Sequence, residues 1–204
     1  MKWIIAGLGN PGGDYAKTRH NAGRIILDQF RVIENFPEWE KKKTYSALVS
    51  KGAIDEMEVI LVEPETFMNE SGRSFRTLVK SKKQAEQFVV IHDDIDLPLG
   101  TWKFSFERGS AGQKGVESII NTLKTKSFIR VRVGILHVTP DGVTRKPKGA
   151  VSVQKFVLGT FTEDERVLLN KVGGDISKAL KTLFTEGLPV AMNQWNQKPS
   201  GAGN

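Results

Sequence analysis

Trp3-Ile4-Ile5-Ala6-Gly7-Leu8-Gly9-Asn10-Pro11-Gly12 opens the chain, and Thr18-Arg19-His20-Asn21-Ala22-Gly23 follows within a few residues. A short apolar run that breaks into a glycine-rich turn and then into a helical pattern is the start of a strand–turn–helix unit. Further apolar runs predict strands near 2–7, 45–50, 57–62, 87–92, 101–106 and 129–135. Helical periodicity lies between them. Ile25, Ile26, Phe30 and Ile33 share a face, as do Phe75, Leu78 and Val79, and Val116, Ile119, Ile120 and Leu123 repeat the i, i+3, i+4, i+7 spacing. Thr162 with Glu165 three residues on is a capping box. It opens a long helix carrying Val167, Leu168, Val172, Ile176, Ala179, Leu180 and Leu183, which Gly187 and Pro189 end before a last short helix through Met192 and Trp195. Strands alternating with helices predict an α/β fold with helices flanking a sheet. The 45–50 and 57–62 pair reads as a hairpin across Gly52-Ala53-Ile54-Asp55, so the sheet is expected to be mixed.

The 204 residues suit one well-buried core. A single domain over 1–195 is the economical reading, with 196–204, rich in Gly, Pro and Ser, as a frayed tail. The Gly and Pro in 103–115 and 137–150 make these stretches candidate lids. The chain has no Cys, which excludes disulfides and thiolate chemistry. It lacks the marks of a signal peptide, and no apolar run approaches the roughly 20 residues of a membrane span, so a cytoplasmic protein is expected. The net charge is +7. Lys124, Lys126, Arg130 and Arg132 come without an intervening acid, and Arg145, Lys146 and Lys148 follow. Such a balance favours a polyanionic partner.

Sites in open α/β sheets form outside the carboxyl ends of the strands. Asn10 falls just past the first strand, Asp93 and Asp94 past Phe88–Ile91, and Phe67-Met68-Asn69 past Val59–Val62 and into a helix. His20 is expected at the start of the helix through Ile33, with Thr18 as N-cap. A helix amino terminus disfavours imidazolium, whereas a nearby carboxylate raises the histidine pKa and fixes its tautomer. His20 and Asp93 therefore suit a base and its orienting partner, and the asparagine amides can hold a neutral carbonyl without adding charge.

Two patterns point elsewhere. Gly7-x-Gly9-x-x-Gly12 matches the dinucleotide fingerprint by letter, yet Pro11-Gly12-Gly13 predicts a turn where that fingerprint needs a helix start, and Asp28 lies inside a helical pattern instead of ending a second strand. His92-Asp93-Asp94-Ile95-Asp96 imitates a metal site, but neighbouring residues at a strand end point in different directions. No metal and no cofactor are expected.

Taken together, Gly7–Gly12 with Tyr15, Thr18–Gly23, Pro64-Glu65-Thr66-Phe67-Met68-Asn69-Glu70-Ser71-Gly72, His92-Asp93-Asp94-Ile95-Asp96-Leu97-Pro98, Arg130–Ile135 and Phe156-Val157-Leu158-Gly159 resemble the bacterial peptidyl-tRNA hydrolase family, in its order and near its spacing. The resemblance implies a monomeric, cofactor-independent enzyme with a single-domain mixed twisted β-sheet flanked by helices. Such an enzyme cleaves the ester between a peptide and the terminal ribose of tRNA. By motif match, His20 is the base that activates water, Asp93 stabilises its orientation and basic form, and Asn10 contacts substrate. Tyr15, Phe67, Met68 and Asn69 line the site for the peptide and the tRNA acceptor end, and Lys103 and Arg132 match basic positions that contact phosphate. The chain departs from the family at Ala111-Gly112-Gln113-Lys114-Gly115, where Gly-Gly-His-Asn-Gly is usual. A Lys114 facing the cleft is expected to disfavour protonated His20 and to bind phosphate or ribose oxygen. The departure also motivates a second reading, a relative that binds tRNA or other RNA without turnover.

Overall fold

The computed structural model describes residues 2–137 and 146–196. Arg145, most of the 137–150 stretch and the tail beyond Asn196 lie outside the described residues. Seven strands form one sheet in the order β2-β3-β4-β1-β5-β7-β6. They are β1 (Lys2–Gly7), β2 (Glu40–Lys42), β3 (Ala47–Ile54), β4 (Met57–Pro64), β5 (Phe88–Pro98), β6 (Trp102–Phe106) and β7 (Ile129–Leu136). The central strands β4, β1, β5 and β7 run parallel, while β2–β3, β3–β4 and β6–β7 pair antiparallel. The mixed α/β sheet expected from the sequence is thus present.

Helices cover both faces. α1 (Ala22–Ile33), α5 (Glu163–Glu186) and α6 (Leu188–Trp195) lie over a core of Ile5, Leu61, Val89, Ile91, Val131 and Val133. On the other face, α3 (Lys114–Leu123) and a 3-10 helix over Met68–Phe75 cover Ile4, Ala6, Val62, Phe88 and Val90. Two further α-helices are short, α2 (Lys82–Glu86) and α4 (Ala150–Val157).

Several boundaries differ from the sequence reading. The 45–50 strand begins at Ala47, and the hairpin turns at Asp55-Glu56, with Asp55 at φ 52 and Ile54 paired to Met57. The stretch after Phe67 is a 3-10 helix that stops at Phe75, so Phe75, Leu78 and Val79 do not share an α-helical face. Its path is set by contact with α3, because a Cβ on Gly72 would stand 2.4 Å from the Ser118 carbonyl oxygen. In α5 the capping box forms as expected, but Val167 and Leu168 face solvent and Leu169 enters the core. Ile33 is likewise exposed at the end of α1. Of the 103–115 candidate lid, residues 103–106 belong to β6 and 114–115 to α3, which leaves 107–113 as the loop between them.

Candidate active site

The carboxyl ends of the parallel strands converge on a cleft of about 710 Å³ lined by Asn10, Tyr15, His20, Phe67, Met68, Asn69, Asp93, Gln113 and Lys114, among others. The entry of α1 sets the arrangement. Gly23 lies so close to the strand ends that a Cβ there would sit 2.3 Å from the Ile91 carbonyl oxygen and 2.7 Å from the backbone of Leu8. Only glycine allows this approach, and it brings the preceding turn over the sheet.

That turn is a 3-10 helix, Arg19–Asn21, and not the first turn of α1. Thr18 does not cap it, because its hydroxyl donates to the Tyr15 carbonyl at 2.8 Å. The turn is pinned from outside. The Arg19 guanidinium donates to both carboxylate oxygens of Glu165 at 2.9 and 2.7 Å and lies over the rings of Phe156 and Phe161. Glu165 is the acid of the capping box, so the start of α5 also anchors the residue beside His20.

His20 Nδ1 meets Asp93 Oδ2 at 2.9 Å. Asp93 lies within β5, which continues to Pro98, and not past the strand end. The acids are tolerated inside a buried strand because each is satisfied. Asp93 Oδ1 accepts from Gln113 Nε2 at 2.9 Å, and Asp94 accepts from Arg132 Nε at 2.6 Å and from the Asp96 N–H at 2.8 Å. Burial alone would push Asp93 up, but the His20 charge and hydrogen bond and the Gln113 amide outweigh it and hold its pKa below the ordinary value. For His20, burial pulls the pKa down. The Asp93 charge and hydrogen bond exceed that pull, and Lys114 opposes them, so the net shift is upward from 6.5. Lys114 thus lines the cleft and acts on His20 in the direction the sequence reading gave it.

Asn10 is held on three sides. Its N–H donates to Asn21 Oδ1 and its carbonyl accepts from Asn21 Nδ2, both at 2.9 Å, while its Oδ1 accepts from the Met68 N–H at 2.9 Å. The last bond fixes the amide orientation and turns the Nδ2 donors away from Met68, uncommitted among the described residues. Tyr15 and Phe67 pack edge to face with centroids 6.4 Å apart, and Phe67 remains 57% exposed, an apolar platform at the cleft.

Lys103 and Arg132 do not line this cleft. They sit opposite one another on β6 and β7, with Arg132 joined to it through Asp94. The His92–Asp96 run offers no shared coordination centre: the His92 ring turns to the backbone carbonyl of Asp93 at 2.7 Å, and Lys146 takes Asp96. Among the described residues no group of three His, Asp or Glu side chains is arranged to hold a metal. After Gly12 the chain forms a 3-10 turn over Gly13–Tyr15, as the Pro-Gly-Gly run predicts, where a dinucleotide fingerprint would begin an α-helix. The sequence reading did not place Gln113 or the Arg19–Glu165 clamp in the site. Two signals marked Gln113: it stands where the family usually has a histidine, and it comes directly before the apolar periodicity of α3, where caps occur.

This mixed α/β sheet brings a histidine–carboxylate pair and a fixed amide together at the ends of its parallel strands, the groups that general-base chemistry uses. Comparison with known proteins narrows this class. The family model described as peptidyl-tRNA hydrolase matches residues 4–202. The peptidyl-tRNA hydrolases of Syntrophotalea carbinolica and Geotalea uraniireducens are 38% and 37% identical to the chain. The matches cover 96% of it in both cases, and 97% and 96% of those proteins. The crystal structure of peptidyl-tRNA hydrolase from Acinetobacter baumannii superposes with a TM-score of 0.86 at 29% identity, over 98% of this chain and 96% of that one. The chain belongs to the peptidyl-tRNA hydrolase family.

Proposed function

We propose that the protein hydrolyses the ester that joins a peptide to the 3′-terminal ribose of tRNA, with His20 as general base. The observation that carries this reading is the His20–Asp93 pair. A carboxylate on Nδ1 keeps the proton there and leaves the Nε2 lone pair for a water in the cleft. Nε2 takes a proton from that water as its oxygen attacks the ester carbonyl carbon. The imidazolium then returns the proton to the departing ribose oxygen. Asp93 stabilises the imidazolium between these steps. The free Nδ2 donors of Asn10 suit the carbonyl oxygen as it gains charge. Tyr15, Phe67, Met68 and Asn69 receive the peptide and the acceptor end, and Lys103 and Arg132 receive phosphates. Such contacts give salt-dependent, sequence-independent affinity, which suits an enzyme that accepts every tRNA. The protein acts as a monomer in the cytoplasm on this reading, and a single sedimenting species of 22.7 kDa checks the first point.

The test is cleavage of an N-blocked aminoacyl-tRNA by the protein and by His20→Ala. The variant is expected to lose roughly 10²–10⁴-fold in kcat, the usual weight of a general base. Equal rates would remove His20 from the chemistry. Salt-dependent tRNA binding without cleavage by the unaltered protein would favour the RNA-binding relative instead.

A further inference from the structure

Gln113 stands at the N-cap of α3, where Ser, Thr, Asp and Asn are the preferred residues. Its longer side chain makes three contacts, the weakest from Nε2 to Met68 Sδ at 3.2 Å. Oε1 accepts from the Val116 N–H at 2.8 Å, and Nε2 donates to Asp93 Oδ1 at 2.9 Å. The two ends of an amide are normally interchangeable in appearance, but a backbone N–H can only donate. Val116 therefore demands the oxygen end, and the nitrogen end must face Asp93. Asp93 in turn meets a donor on each oxygen, Gln113 on one and His20 Nδ1 on the other.

We propose that Gln113 is a positioning residue for the hydrolysis: anchored on the backbone of α3, it sets the rotation and hydrogen-bond polarity of the residue-93 side chain, and through it the tautomer of His20. This rests on the proposed role of His20 as base. A proton on Asp93 Oδ1 would collide with the Gln113 N–H, so the contact keeps both oxygens as acceptors and the imidazole proton on Nδ1. The amide has no charge to gain or lose, so the polarity is held at every working pH. A histidine at this position, the usual residue of the family, would titrate near neutrality.

Gln113→Asn separates the two duties. It caps α3 at least as well but is one methylene too short to reach Asp93. Its thermal unfolding is expected to match the unaltered protein, while kcat falls about ten-fold, the weight of one hydrogen bond to a charged group, with KM unchanged. The His20 Nδ1–H resonance, readily assigned among three histidines, broadens or disappears in the ligand-free protein. The sharper test reverses the polarity. In Asp93→Asn, the Gln113 N–H claims the carbonyl oxygen of the new amide and turns its NH₂ toward Nδ1, which drives His20 to the Nε2–H form. Adding Gln113→Glu supplies an acceptor for that NH₂ as well as for the Val116 N–H. The oxygen of residue 93 is thereby turned back toward His20. The double variant should regain about ten-fold in kcat over Asp93→Asn, and the ¹⁵N shifts of His20 should return to the Nδ1–H pattern. A double variant no more active than the single one, with its tautomer unrestored, overturns the proposal, as does an unchanged kcat and Nδ1–H signal in Gln113→Asn. If the unaltered protein fails to cleave the ester, the catalytic reading of His20 falls, and the ¹⁵N shifts alone still decide whether Gln113 orients the pair.

Discussion

Lys114 is the first residue of α3, a cation at the end of a helix that already carries partial positive charge. Replacing it with Asn, the usual residue of the family, tests why it is there. Relief of the dipole repulsion is worth about 0.3–1 kcal/mol at an exposed position. For a chain of this size that is a rise in Tm of about 1–4 °C. If the lysine meets a substrate phosphate, its loss should raise KM for blocked aminoacyl-tRNA about two- to five-fold, the range of one exposed ion pair. The dependence of log KM on log salt should also flatten by about 0.7, the increment for one phosphate of a single-stranded end. The base responds too. Lys114 lowers the pKa of His20, so its removal moves the acid limb of the kcat profile to higher pH. The assay is cleavage at several salt concentrations and pH values, beside a thermal melt. A variant with KM and salt slope unchanged would show that Lys114 touches no phosphate, and an unmoved acid limb would show that its charge does not reach His20.

Other outcomes follow from the same geometry. The pKa of His20 is raised, so kcat should climb with pH through a midpoint above 6.5, and Asp93→Ala should move that midpoint below 6.5 because burial and the Lys114 charge then act unopposed. The His20–Asp93 pair also sets a stability window. Its contribution through His20 is complete below 6.5 and lost as pH rises through the raised value. Its contribution through Asp93 is complete above 3.8 and lost as pH falls through the lowered value. The pH dependence of Tm should flatten accordingly in Asp93→Ala. Treatment with EDTA should leave cleavage unchanged, since Arg132 and Lys146 already hold Asp94 and Asp96; loss of activity restored by a divalent cation would refute this. Gly72→Ala should cost about 1–3 kcal/mol in urea unfolding, because the added methyl meets the backbone of α3.

The sequence was most legible where local chemistry agreed with tertiary demand. Thr162 and Glu165 announce α5 because both capping bonds are made within one turn, and the apolar runs of β1, β4 and β7 read as strands because helices bury both of their faces. β2 left no trace, being a three-residue charged edge strand that only its pairing to β3 defines. β5 ran on through His92 and three acids because partners distant in sequence neutralise them, and no periodicity records such partners. The 3-10 helix at Met68–Phe75 follows from Gly72 against Ser118, a contact between segments 46 residues apart. In the site, His20, Asp93 and Asn10 were visible as residue types that suit the chemistry. Gln113 was not: a lone glutamine in a glycine-rich stretch reads as loop, and the fold alone sets it against a carboxylate 20 positions earlier.

The clamp between Arg19 and Glu165 ties the first tenth of the polypeptide to its last quarter. The seven strands of the sheet end by Leu136, so a fragment stopping before α5 would hold each of them and still grip the loop of His20 from one side only. That fragment would also leave bare the sheet face that Leu169, Val172, Ile176, Leu180 and Leu183 cover, so competence should arrive late in biosynthesis, and trimming that reaches α5 should silence the protein.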